Sequence, residues 1–221
     1  MAIERILEKE VMSGRDEASD YDSMDHSEVN RIFVDDLLSQ GELGTDIVDL
    51  GTGTARIPIE LCRRFEACRI MAVDASIAML ELARLNIEIA GQIQRIQLDQ
   101  TDWKKLHHAD AYFDVVLSNG ALHHLPDPLV GLREAVRVAR PDALLFHRDL
   151  LRPETDEEIE NLVQQYAGEC DERQKASFRD SLRASLTLAE VRDLVSALGF
   201  APDTVQQTSD RHWTWCARKP R

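Results

Sequence analysis

Apolar positions recur in two rhythms along the chain, and from residue 46 the rhythms alternate. DIVDL (46–50), RIMAVD (69–74), RIQLD (95–99), YFDVVLSN (112–119) and ALLFHRD (143–149) are apolar runs of strand length. YFDVVLSN is nearly all apolar in its middle, as a strand covered on both faces should be. Between the runs lie helical stretches. One spans Arg56 to Phe65, with Pro58 tolerated in its first turn. A second is capped by Ser76, runs to about Ala90 and is closed by Gly91. A third starts at Asp127-Pro128 and runs to Arg140, before Pro141. Repeated strand–helix units predict a doubly wound, mostly parallel sheet of the α/β class.

Other segments break the alternation. Residues 1–26 are polar and acidic, which fits a disordered tail or a lid that orders on a ligand. Ser27 is the expected cap of a helix to about Gly41, with Val29, Ile32, Phe33 and Leu37 on one face. Residues 152–185 carry two helical patterns and no strand. The first opens on ETDEEIE, acidic as a helix start favours, and the second covers about Glu172 to Arg183. Thr187 and Glu190 form a T-x-x-E capping box for a helix to Leu198, stopped by Gly199. Strand patterns return around PDTVQQ and RHWTWCAR, where Trp213 and Trp215 read as packing residues. The division predicted is an N-terminal lid and helix over 1–43 and a main domain over 44–221, with 152–185 as a helical insertion.

Composition narrows the partners. The 221 residues, 43% hydrophobic, suit one α/β domain, or one domain with a small appendage. A formal net charge of -14 repels a phosphate backbone, so nucleic acid is not the expected partner. The four cysteines form no C-x-x-C pair and none lies at zinc-ligand spacing from a histidine. They are expected to be buried, reduced thiols, and no metal site is expected. The N-terminal apolar stretch is too short for a signal peptide, and no run reaches the about 18 apolar residues of a membrane span. A cytoplasmic protein with no membrane partner is expected; its oligomeric state is not fixed by the sequence.

The chemistry concentrates at the strand ends, where such sheets bind ligands. Asp49, Asp74, Asp99, Asn119 and Asp149 all stand there. The loop IVDLGTGTARIPIEL lacks the lysine of a phosphate-binding P-loop. Arg56 occupies a position where a dinucleotide fingerprint wants a small residue, and Asp49 would crowd a pyrophosphate. A carboxylate before the glycines and backbone N–H groups after them suit a ligand with both an ammonium and a carboxylate. Asp74 can accept hydrogen bonds from two ribose hydroxyls, and Asp99 one from an adenine amino group. An amino acid joined to adenosine is S-adenosylmethionine.

At this point the chain resembles a known family. IVDLGTGTA, AVDAS, QLDQTD, FDVVLSNGALHHLPD and VARPDALLFHRD are similar to successive motifs of the class I S-adenosylmethionine-dependent methyltransferases, in the ubiquinone- and menaquinone-biosynthesis-like branch. The likeness covers roughly residues 44–150 and the terminal strand pair. It implies a Rossmann-like seven-stranded sheet with a C-terminal antiparallel strand pair, and a small helical cap over the acceptor. It also implies cofactor contacts at Asp49, Gly51, Gly53, Asp74, Asp99 and Asn119, with Ala75, Ser76 and Gln100 adjacent. The third glycine is replaced by Ala55, and the usual Pro-Gly-Gly before the fifth strand reads Pro141-Asp142-Ala143.

Methyl transfer from a sulfonium mainly needs alignment of donor and acceptor, and in some cases a base. His123, His124, Asp149 and Tyr21 are the candidate catalytic residues, with His147 beside Asp149 on the same strand face. A small-molecule acceptor and release of S-adenosyl-L-homocysteine are expected. Residues Ser118-Asn119-Gly120-Ala121 stand where base- and amide-methylating branches carry Asn/Asp-Pro-Pro-aromatic. The alternatives are methylation of a protein or RNA group, or a non-catalytic S-adenosylmethionine-binding protein; a nicotinamide-dependent oxidoreductase is more distant. Arg152, Arg179 and Arg183, if turned inward, would favour an acidic acceptor.

Overall fold

The computed structural model describes residues 3–8, 14–24 and 26–221. Strands β1 (Asp46–Leu50), β2 (Arg69–Asp74), β3 (Ile96–Gln100), β4 (Phe113–Asn119), β5 (Ala139–Leu150), β6 (Val205–Gln207) and β7 (His212–Arg218) form one sheet. Their order is β3-β2-β1-β4-β5-β7-β6. β1 to β5 run parallel; β7 pairs antiparallel with β5 and β6. The chain reverses direction across the sheet between β1 and β4, which opens a crevice at their carboxyl ends. The expected doubly wound sheet with a terminal antiparallel pair is present.

Alternation along each strand feeds two cores. Val48 and Leu50 of β1, Val116 of β4 and Leu145 of β5 face a layer built on α5 (Pro128–Val138) and α8 (Leu188–Ala197). Ile47, Val115, Leu117, Leu144 and Phe146 face the opposite layer, made of α2 (Ser27–Leu38), α3 (Arg56–Arg64) and α4 (Ile77–Ile89). A period of two therefore sends neighbouring residues to different layers. Trp213 and Trp215 are fully buried in the first core.

Local signals set most of the boundaries. The Ser76 hydroxyl accepts from Met79 N at 3.2 Å, Asp127 accepts from Leu129 N, and Thr187 and Glu190 close the expected capping box. Two further boxes, Thr155–Glu158 and Asp171–Gln174, start α6 (Asp156–Ala167) and α7 (Glu172–Ala184).

Some expectations are corrected. Ser27 is the first residue of α2 rather than its cap, and the helix stops at Leu38. Its buried stripe is Phe33, Val34 and Leu37, while Ile32 is 42% exposed. The cause is a helical phase set by Phe33, which meets Phe146 edge-on at 5.1 Å between ring centres. α5 ends at Val138, because Ala139 already pairs with Phe113 and Lys219 Nζ takes the carbonyls of Val136 and Ala139 at 2.8 Å. Cys62 and Cys68 are buried, but Cys170 and Cys216 are only half-buried. Cys170 lies just past α6, and the Cys216 thiol reaches out to Gln40 at 3.2 Å. Part of the acidic N-terminus is ordered as α1 (Arg15–Ser23); residues 9–13 and Asp25 lie outside the described residues.

Candidate active site

The glycine loop leaves β1 and must turn within five residues into α3. Gly51, Gly53 and Ala55 all have positive φ, at 72°, 55° and 61°. A Cβ on Gly51 would collide with that of Ala121, so the backbone there needs glycine on two counts. Ala55 takes the same left-handed conformation with its methyl group fully buried. Four of the five amides from Gly51 to Ala55 already have partners. Gly51 N and Thr52 N both donate to Val73 O at 2.9 Å, Ala55 N donates to Thr52 O, and Gly53 N donates to Asp74 Oδ2 at 2.8 Å. So tight a turn satisfies its own donors against the end of β2.

Asp74 is fixed by that bond and by Ser76 N, which donates to Oδ1 at 2.8 Å. Burial raises its carboxyl above the usual range, against the pull of those amides. Asp49 is 2% exposed and accepts from Thr52 Oγ1 at 2.7 Å. Burial, with the nearby Asp74 charge, pushes it up to about 7 although the Thr52 bond opposes the shift. A buried carboxyl held near neutrality is a site prepared for a cationic group.

A cavity of about 130 Å³ opens at the carboxyl ends of β1, β2 and β4. Its walls include Gly51, Gly53, Asp74, Ala75, Ser76 and Asn119. Asp49 lines a smaller adjoining cavity, with which the first shares Tyr21, Gly51 and Asn119. Asp99 and Gln100 line neither. Asp99 points toward His108 at 3.9 Å, and the wall is instead formed by Thr101, Asp102 and Trp103. Thr101 N bonds Asp74 O, so the chain curls over the strand edge one turn beyond the predicted acid. QLDQTD thus contains two aspartates, and strand alternation was the signal that could have favoured the second.

α1 lies over the loop. Asp22 receives a two-pronged bond from Arg56 at 2.9–3.1 Å and another from Asn86. Arg56, the residue that argued against a dinucleotide loop, therefore anchors α1. Ala18 packs against Ala78 and Met79 of α4, and the Tyr21 ring rests against Gly53. Its phenol is pushed up to about 12 by burial and then by Asp74, Asp49 and Asp22, so it remains a neutral donor.

Beyond α1 a second cavity, about 470 Å³, lies between residues 3–8 and α7. It is lined by Ile6, Glu8, Asp20, Met24, Ser177 and Arg183, among others. The two cavities have two lining residues in common, Tyr21 and His124. Residues 3–8 are strapped down by Arg5, which donates to Ala184 O at 2.6 Å, His123 O at 2.9 Å and Leu125 O at 3.0 Å. Neither Arg5 nor Glu8 stands out in the sequence.

His123 occupies a short 3-10 turn, Leu122–His124, and is 4% exposed. Its Nδ1 lies 2.6 Å from Asp149 Oδ1, and its backbone N–H donates to Asp149 Oδ2 at 3.0 Å. Burial opposes a charge on the ring, but Asp149 and Glu8 outweigh it and push the imidazole up to about 10. Asp149 is correspondingly held below the usual carboxylate range, against the burial that would raise it, by the facing imidazolium and amides. His123 is thus protonated near neutral pH and donates hydrogen bonds from both ring nitrogens. Asp149 touches His123 and not either cavity. His147 lies farther inside, between Trp103 and Trp215 at 5.9 and 5.3 Å.

The arginines of the insertion do not present free charge. Arg152 is buried against Ser185 O and Glu190, and Arg179 pairs with Glu160. Arg183 reaches the second cavity but pairs with Asp156 at 3.0 Å, and Arg173 pairs with Asp20 at 3.2 Å. The inward-arginine argument for an acidic acceptor is therefore not supported.

Comparison with known proteins now bears on the site. Residues 48–147, which span the glycine loop through β5, match a methyltransferase domain family. These residues belong to the methyltransferase domain family. The chain is 32% identical over 111 residues to a demethylmenaquinone methyltransferase of Desulfitobacterium hafniense, covering 50% of this chain and 44% of that protein. It is 28% identical over 182 residues to 27-O-demethylrifamycin SV methyltransferase of Amycolatopsis mediterranei, covering 80% and 62%. The chain thus spans about half the length of these curated relatives. A solved structure from Methanococcus maripaludis, described as a putative S-adenosyl-L-methionine-dependent methyltransferase, superposes with a TM-score of 0.73 over 98% of both chains at 17% identity. The fold is that of the class I methyltransferases.

Proposed function

We propose that this methyltransferase domain transfers the methyl group of S-adenosyl-L-methionine to a small-molecule acceptor and releases S-adenosyl-L-homocysteine. The observation that carries the reading is the pair of cavities meeting at Tyr21 and His124. An in-line displacement needs two compartments joined at one narrow point, with the sulfonium in one and the nucleophile in the other. The first compartment suits the donor. Asn119, with Asp49 from the small adjoining cavity, takes the ammonium end, Asp74 the ribose hydroxyls, and Gly51 and Gly53 allow close approach. Ala75 and Ser76 border the ribose, and Asp102 with Trp103 takes the adenine end in place of Asp99 and Gln100.

The second compartment takes the acceptor, and the segments around it, residues 3–8, residues 14–24 and α7, form its cap. His124 is the base of this reading and Tyr21 a positioning donor at the methyl group. His123 and Asp149 hold the turn that carries His124. The names of the two relatives support a small molecule, since one acts on demethylmenaquinone and the other on a demethylrifamycin. The cavity is walled by charged and polar side chains on four segments together with Ile6, Leu7 and Met24, which leaves room for a compact acceptor of mixed polarity rather than a polymer. No described helix is long and apolar enough to cross a membrane.

Calorimetry tests the donor half. S-adenosylmethionine and S-adenosylhomocysteine should bind at micromolar levels while NADH does not, and Asp74→Ala should weaken binding by about 1.5–3 kcal/mol, as for hydrogen bonds to a charged group. Absence of both interactions would sink the reading. A labelled methyl donor offered with a metabolite pool tests transfer, and His124→Ala should slow it about 100-fold or more if that residue is the base.

A further inference from the structure

Three metal-ligating groups that the methyl-transfer reading leaves partly unused converge beside the second cavity. Glu8 Oε1 lies 3.1 Å from His123 Nε2 and 3.3 Å from His124 Nδ1. All three donor atoms lie within 4.8 Å of one another. Zinc bonds to nitrogen and carboxylate oxygen of about 2.0–2.1 Å place neighbouring ligands of a tetrahedron about 3.3 Å apart. The two observed separations have that size.

We propose that Glu8, His123 and His124 bind a divalent transition metal of the zinc type, with the fourth coordination position open to the cavity.

Three further observations support the site. Asp149 accepts from His123 Nδ1 and so orients the ring with Nε2 toward Glu8, the carboxylate–histidine–metal arrangement. The same carboxylate also takes the His123 backbone N–H, which locks the turn. Charge is the second observation. Glu8 and Asp149 set two carboxylates against two imidazoles in a largely enclosed place; Asp149 is 2% exposed and the Glu8 side chain 15%. A proton on one imidazole offsets one negative charge, and a dication offsets both. The third is the opening. Glu8 and His124 both line the 470 Å³ cavity, so water or an acceptor oxygen can complete the tetrahedron. Two imidazoles and one carboxylate with an open fourth position suit tetrahedral zinc, and geometry rather than raw affinity sets it apart from cobalt, nickel and copper on the same donors.

A bound metal would occupy the place of the Nε2 proton. With His124 Nδ1 on the metal, the ion rather than His124 would prepare the nucleophile, lowering the pKa of a coordinated hydroxyl whose proton passes to solvent. That catalytic role rests on the methyl-transfer reading; the binding site does not.

The test is a calorimetric titration of the full chain with Zn²⁺ after stripping with a chelator. One zinc per chain is expected, and Co²⁺ in its place should show the visible absorption of a tetrahedral site. Glu8 and His124 lie outside the two sheet cores, and circular dichroism of each alanine variant should match the wild type. Each should weaken zinc at least about tenfold, and Asp149→Asn by about ten- to a hundredfold. The inference is overturned if the wild-type chain takes up no stoichiometric zinc, or if Glu8→Ala and His124→Ala bind it as well as the wild type. Titrating the same samples with S-adenosylhomocysteine separates the two ideas. Zinc uptake without nucleoside binding removes the methyl-transfer reading alone, and the reverse removes the metal site alone.

Discussion

Asp49 illustrates how one residue couples binding to pH. Its folded-state value near 7 lies above that of an unfolded carboxyl, so the folded protein retains a proton there between about pH 4 and 7. Stability from this group therefore falls as pH rises through that window in the ligand-free protein. A cation beside Asp49 needs it ionised. Affinity for S-adenosylhomocysteine should thus weaken below pH 7, by up to tenfold per unit, and Asp49→Asn should flatten the dependence. Calorimetry between pH 5.5 and 8 reads both. His147 has the opposite sign. Burial pushes its imidazole down to about 3, so its contribution is complete above about pH 6.5 and is lost as pH falls. His147→Phe keeps a ring between Trp103 and Trp215 and removes the titration. The stability difference between pH 8 and pH 5 should shrink by about 2 kcal/mol in urea melts, since 1.5 units correspond to about that energy. An unchanged difference would show that His147 is solvated.

At the scale of elements, the helix caps and α1 behave differently. Thr187 and Glu190 form a reciprocal pair at the start of α8, and Glu190 also receives Arg152 at 2.7 Å. Thr187→Ala should cost about 1 kcal/mol of stability, read as a lower denaturant midpoint with unchanged slope. α1 contributes one fully buried residue, Ala18, to a small cluster, while the sheet cores lie elsewhere. Arg56→Ala removes the clamp on Asp22 and should loosen α1 without unfolding the sheet. We expect S-adenosylhomocysteine to dissociate at least about tenfold faster in stopped-flow measurements, with little change in melting temperature. An equal loss in both would mean that α1 belongs to the cooperative core.

Across the whole molecule, 40 acidic residues face 26 basic ones. Self-repulsion at net charge -14 is screened once the Debye length falls from about 30 Å to about 8 Å. Raising salt from about 0.01 to 0.15 M should therefore raise the melting temperature, and a fall would mean that surface ion pairs dominate instead.

The sequence by itself determined the strand and helix order, the loop Asp49–Ala55 and most of the caps. These depend on period, on glycine and on side chains within four residues of the backbone they bond. It also carried the choice of an amino-acid nucleoside over a phosphate ligand, because Arg56 and Asp49 speak against the alternatives. Only the tertiary structure decided the rest. It spent the loop amides on Val73 and Asp74, turned Asp102 rather than Asp99 to the cavity, and aimed Asp149 at His123. It also carried Arg5 and Glu8 from the N-terminus to the histidine turn. No local rule encodes such meetings. They are fixed by which helix faces the two sheet cores bury and by the carbonyls left open for Arg5 to fill.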